Sequence, residues 1–217
     1  IYHGPEGILK IANRTSKLAK LFADEVKKGG FEIISDHFFD TVTIKTKERT
    51  NEIYEKALNE KINLRKVDNE KISVAFDEAK KLKDVIVLLK IFGISANLKQ
   101  DTNIKLNNLP NHLLRTSKYL SHPVFNKYHS ETELLRYLKK LEDCDIALNR
   151  SMIALGSCTM KLNATSELIP ITWKEFSLPH PFVPTNQMEG YKILFDDLKN
   201  DLMEITGFDD VSLQPNS

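Results

Sequence analysis

Residues 151–163 read Ser151-Met152-Ile153-Ala154-Leu155-Gly156-Ser157-Cys158-Thr159-Met160-Lys161-Leu162-Asn163. The stretch gathers hydroxyl, thiol, ammonium and amide groups around one glycine. Gly156 permits a turn that other residues resist, or a close approach of backbone to a ligand. The polar groups that follow suit a small anionic or carbonyl compound. They equally suit a tight turn in which Ser and Thr satisfy their own backbone. From these residues alone both readings stand, so the surroundings must decide.

Upstream lies an amphipathic helix pattern. Ser130-Glu131-Thr132-Glu133 is a capping box that opens it, and Leu134, Leu135, Leu138, Leu141 and Leu148 form its expected buried stripe. Cys144 is expected inside this helix as an inert small residue. Downstream, Ile169-Pro170 and Leu178-Pro179-His180-Pro181 force extended chain, with Trp173, Phe176 and Phe182 as packing anchors. Asn186 and Glu189 are spaced to cap a further helix, lined by Tyr191, Leu194, Phe195, Leu198, Leu202 and Ile205, with Gly207 ending it. Residues 211–213 read as a strand, and Gln214-Pro215-Asn216-Ser217 as its exit.

Toward the N-terminus, Gly4-Pro5 opens a helix. Ile8, Ile11, Ala12, Leu18, Phe22 and Val26 recur at helical spacing up to Gly29-Gly30. Residues 38–46 are rich in β-branched and aromatic side chains and read as a strand. A helix over 49–60 follows, then strands at 63–67 and 72–76 about an Asp68-Asn69 turn. Residues 82–92 are helical, closed by Gly93. Lys80, Lys81 and Lys83 read as a solvated face. The pattern is an α/β layer with helices on one side of a short sheet. Residues 96–111 are polar and Asn-rich, which places a boundary between 1–110 and 111–217.

With 41% hydrophobic and 28% charged residues, the 217-residue chain has globular composition, and its formal net charge of +1 gives no reason to expect nucleic acid. No apolar run approaches the ~20 residues needed to span a membrane. Cys144 and Cys158 are too few for a disulfide framework, which suggests a reducing compartment. His112, His122, His129 and Glu131 share one span, but their spacing matches no common zinc pattern, so no metal is expected. The chain opens on Ile1 and stops after a strand-like run, as an internal piece of a longer protein would.

Three longer strings then stand in a consistent order: SMIALGSCTMKLNATSELIPITWKEF at 151–176, LPHPFVPTNQMEGY at 178–191 and EITGFDDVSLQPNS at 204–217. Together with HPVFNKYHSETELLRYLKKLE at 122–142 and YHGPEG at 2–7, they resemble the P-protein family of the glycine cleavage system. The resemblance covers nearly the whole chain and is strongest from residue 114 onward. Ala154 departs from it, since proline is usual there; this touches loop stiffness, not chemistry.

The resemblance implies a fragment of an aspartate-aminotransferase-like (fold type I) pyridoxal-phosphate enzyme. Residues 1–110 would end the first of two related halves. Residues 111–217 would supply the helical arm, an active-site loop and the start of the large domain of the second. The implied activity is glycine decarboxylation with pyridoxal 5'-phosphate as cofactor, the aminomethyl group passing to the lipoyl arm of H-protein. Ser217 and Asn216 carry over to the phosphate turn. Ser157, Cys158, Thr159, Lys161 and His180 become candidate lining residues. The lysine that carries the cofactor lies downstream in this family, so Lys161 is not that lysine, and the fragment alone is expected to be inactive. The family also implies a homodimer of the full-length chain, in the cytoplasm of a bacterium or the mitochondrial matrix of a eukaryote. Two other readings remain open on the residues: a non-catalytic scaffold segment, and an α/β enzyme with Cys158 as nucleophile.

Overall fold

A computed structural model describes residues 1–98, 109–144 and 164–214. The chain divides into two compact units, Ile1–Met152 and Ile153–Ser217. The mixture of helix and sheet agrees with the expected α/β class. The boundary expected near residue 110 adjoins residues 99–108, which lie outside the described ones.

In the first unit, α1 (Gly4–Lys28) precedes β1 (Glu32–Ile33), β2 (Thr41–Lys45), α2 (Thr50–Asn59), β3 (Arg65–Lys66), β4 (Lys71–Ala75) and α3 (Leu82–Ile91). The four strands form an antiparallel sheet in the order β1-β2-β4-β3. Alternation sorts its faces. Val42 pairs with Val74 and Ile44 with Ile72, and all four are buried. Thr43 pairs with Ser73 on the opposite face, their hydroxyls 3.1 Å apart.

Over the apolar face lie Leu18, Ala19, Phe22, Ala23 and Val26 of α1, Ile53 and Ala57 of α2, and Val85, Leu88 and Leu89 of α3. Phe22 meets Phe76 and Phe92 at ring-centroid distances of 5.6 and 5.5 Å. Burying such side chains stabilises by about 1.5–3 kcal/mol each, so this face is the centre of the fold. Ile8 is exposed: only the C-terminal part of the α1 stripe reaches the core.

The first turn of α1 has a different neighbour. Gly4 takes a left-handed φ of +61°, and a Cβ there would lie 2.6 Å from His129 Cε1 and 2.8 Å from the Phe125 carbonyl oxygen. Tyr119 donates its hydroxyl proton to the Pro5 carbonyl at 2.8 Å, and His129 Nδ1 donates to the Tyr2 carbonyl at 2.8 Å. A 3-10 turn at Pro123–Asn126 packs here. His122 caps that turn, its Nδ1 accepting from the Val124 N–H at 3.2 Å. Beyond it, α4 (Glu131–Asp143) begins at Ser130, whose hydroxyl accepts the Glu133 N–H at 3.3 Å. The Ser130 half of the expected capping box is met, while the Glu133 carboxylate accepts from the Ser130 hydroxyl at 3.0 Å. The leucine stripe is not buried: Leu135, Leu138 and Leu141 are exposed, and Leu148 lies outside the described residues. Cys144 sits at the C-terminal cap of α4, exposed, rather than inside the helix.

The second unit contains two short helices, α5 (Thr165–Leu168) and α6 (Lys174–Ser177), and the longer α7 (Glu189–Thr206). Gly207 ends α7 at φ +73°, its N–H reaching the Met203 carbonyl at 2.8 Å. Asn186 does not cap α7; it lies in a 3-10 turn at Thr185–Gln187, and Met188 occupies the cap position without a side-chain bond. Residues 211–213 form no strand. A strand exists through its ladder, and among the described residues none pairs with them.

Gly4→Ala should destabilise the first unit. A left-handed backbone costs a non-glycine residue roughly 1–2 kcal/mol, and contact with the Phe125 carbonyl adds to that. The expected result in denaturant is a lower unfolding midpoint, with faster amide exchange over 119–129 than in the sheet. An unchanged midpoint with unchanged exchange would show that the close approach is absent.

Candidate functional site

Of the residues that the resemblance points to, Ser157, Cys158, Thr159, Lys161, Asn216 and Ser217 lie outside the described residues. His180 is described. It stands between Pro179 and Pro181, where both prolines hold the backbone extended. Its Nδ1 accepts the Phe182 N–H at 3.0 Å, and its carbonyl accepts the Val183 N–H at 2.9 Å. The ring lies 5.9 Å from that of Phe182. His180 is thus exposed and locked by its own turn. An accepting Nδ1 requires the proton of the neutral ring on Nε2, so one N–H donor remains to offer a ligand.

Trp173, Phe176, Tyr191 and Phe195 run as a chain of ring contacts at 6.2, 5.7 and 5.6 Å. Tyr191 also donates its hydroxyl proton to the Phe176 carbonyl at 2.7 Å. These contacts tie the N-terminal part of α7 to α6, the element just before the His180 turn. Two of the three expected anchors, Trp173 and Phe176, are therefore in contact, yet Trp173, Phe176 and Phe182 are all exposed.

The approach to Asn216 and Ser217 is held at the other end of α7. Asp210 lies 2.9 Å from Lys199 Nζ and accepts the Val211 N–H at 2.7 Å. The hydrogen bond from Lys199, then that from the Val211 N–H, holds the Asp210 carboxyl below its ordinary value. No sequence spacing singled out this pair.

Two histidines of the other span are engaged in structure: His122 in its cap and His129 in the α1 clasp. Among the described residues no three potential metal ligands converge. An open hollow of about 520 Å³ beside the clasp is lined by Pro5, Lys118, Tyr119, Leu120, Ser121 and Asn126, among others. The sequence reading missed the clasp itself, although YHGPEG and HPVFNKYH, the strings that build it, were among its markers.

Two outcomes test these assignments. His180→Asn should keep the turn, since its side-chain oxygen can accept the same N–H, whereas His180→Ala should speed exchange of the Phe182 amide. Equal exchange in both would show that the ring does not hold the turn. Lys199→Met should raise the Asp210 titration midpoint, read by NMR. Because the folded value is depressed, the contribution of this pair is present above the unfolded value and is lost as pH falls through the folded one. A midpoint indifferent to Lys199→Met would remove the pair.

Comparison with known proteins bears on the same strings. Residues 1–92 match the family described as "Glycine cleavage system P-protein". The chain is 63% identical over 217 residues to the glycine dehydrogenase (decarboxylating) of Pelagibacter ubique (strain HTCC1062), covering all of this chain and 23% of that protein. It is 50% identical over 225 residues to the protein of that name from Aliivibrio fischeri (strain MJ11), again covering all of this chain and 23% of the relative. With the Vibrio parahaemolyticus protein the identity is 50% over 221 residues, with the same coverage. The chain thus spans about a quarter of the length of the curated relatives it matches. Over its whole length the chain is therefore similar to proteins named glycine dehydrogenase (decarboxylating), and over residues 1–92 to the glycine cleavage system P-protein family.

Proposed function

We propose that this chain forms part of the active site of a pyridoxal-phosphate-dependent glycine decarboxylase. The observation that carries the reading is the 63% identity along all 217 residues to a protein named for that reaction. Under this reading the fold is that of fold type I enzymes. Residues 1–110 end the first half of the longer chain and 111–217 open the second.

The donor set suits an anionic cofactor and an amino-acid substrate. Ser157, Thr159 and Ser217 offer hydroxyls, Asn216 an amide and Lys161 an ammonium, with no carboxylate among them. Hydrogen bonds from such groups to phosphate and carboxylate are charge-assisted and correspondingly strong. When bound, pyridoxal phosphate supplies an electron sink for the bond pair freed as glycine loses carbon dioxide. Ser217, with Asn216, holds the phosphate. Lys161 faces an anionic group and orients it. Ser157, Cys158 and Thr159 line the pocket and displace water from it. His180 presents its Nε2–H while its own turn holds the ring still. The lysine that anchors the cofactor lies outside these residues. The aminomethyl group passes to the lipoyl arm of H-protein, whose disulfide is reduced as one sulfur accepts the carbon. The full-length protein works as a homodimer, in the cytoplasm of a bacterium or the mitochondrial matrix of a eukaryote.

The test uses a full-length protein carrying this chain. With glycine, pyridoxal phosphate and lipoylated H-protein it should release carbon dioxide; a protein that binds the cofactor and releases none would reject the reading. Ser217→Ala should weaken cofactor retention more than glycine saturation. Losing a hydrogen bond to a charged group costs roughly 1.5–3 kcal/mol, which is about ten- to hundredfold in cofactor dissociation. Unchanged retention would take Ser217 out of the phosphate site.

A further inference from the structure

Among its described residues, 164–214, the second unit has apolar side chains but none that is buried. Leu194, Phe195 and Leu198 are each close to half exposed, and Ile205 is 79% exposed. With Tyr191 and Leu202 these residues recur every three or four positions along α7, so they share one face. Contact with α6 covers only the Tyr191–Phe195 end. Most of the stability of a helix in a folded protein comes from packing such an amphipathic face.

The charge on α7 narrows what lies on that face. Glu189, Asp196, Asp197, Asp201 and Glu204 outnumber Lys192 and Lys199. A helix that lies on an anionic membrane carries the opposite excess. The matches run the whole length of this chain, at 50–63% identity overall, and roughly three quarters of the relatives' length lies outside the match. We infer that the α7 face of Tyr191, Leu194, Phe195, Leu198, Leu202 and Ile205 is an internal packing face, covered by polypeptide of the same longer chain. The covering surface is apolar, with Lys or Arg at the rim where it meets Asp197 and Asp201. This rests on the similarity to longer relatives and not on the proposed reaction, so the two can fail separately.

Thiol accessibility tests it. Leu198→Cys, on the stripe, and Asn200→Cys, on the opposite face, are placed both in the 217-residue chain and in a full-length protein that carries it. Alkylation is followed peptide by peptide, which separates the new thiol from Cys144 and Cys158. The thiol of Leu198→Cys should react at least about tenfold more slowly in the long protein than in the short chain, and that of Asn200→Cys at similar rates in both. Equal rates for Leu198→Cys in the two would show a free face and overturn the inference. So would protection within the short chain that disappears on dilution, since a second copy would then be the cover, or protection that appears only with anionic vesicles. If Leu198→Cys fails to fold in the long protein, Leu194→Cys on the same stripe reads the same quantity.

Discussion

The first unit depends on the register between β2 and β4. Val42 faces Val74 and Ile44 faces Ile72, and these four side chains are the floor on which all three helices of the α/β layer stand. A slip of one residue would turn them to water and put Thr43 and Ser73 beneath Phe22. The same register brings Thr46 beside Glu70, whose carbonyl accepts the N–H groups of Thr46 and Lys47 at 2.7 and 3.0 Å. That bond starts the 3-10 turn from which α2 runs. At the other end of the pair, the Phe76 N–H meets the Asp40 carbonyl at 3.1 Å and sets where the chain leaves for α3. Two helices thus take their positions from one ladder.

Much of this was legible because periodicity reports faces directly. The helices at α1, α2 and α3 and the hairpin around Asp68-Asn69 stand where spacing put them. β1 was not legible: two residues, Glu32 and Ile33, have no period. The expected strand at 211–213 failed for a related reason. Val211 and Leu213 describe a chain willing to pair, while a strand needs a partner. Asn186 and Glu189 have the spacing of a cap, but the chain enters α7 through a 3-10 turn that takes Asn186 out of position.

The leucines of α4 and the apolar residues of α7 teach a different lesson. Their spacing did mark a face, and burial did not follow. Sequence says which side of a helix avoids water and is silent about what stands opposite. The candidate site has the same limit. Lys161 and Cys158 look reactive by residue type, and the roles proposed for them rest on the resemblance rather than on any chemistry that spacing can show. His180 is the converse case: a residue chosen from its motif whose turn, fixed by the Phe182 N–H, explains how its ring is oriented.

The clasp at the start of α1 also has a consequence in time. Its two hydrogen bonds join residues separated by 114 and 127 positions. At a synthesis rate of about 5–20 residues per second, the first turn is made on the order of ten seconds before its partners exist. The sheet and the three helices of the layer can assemble in that interval, because all their parts precede residue 98. Gly4 therefore waits, with its first turn open, on a domain already formed. Tyr119 and His129 then arrive as a finishing step.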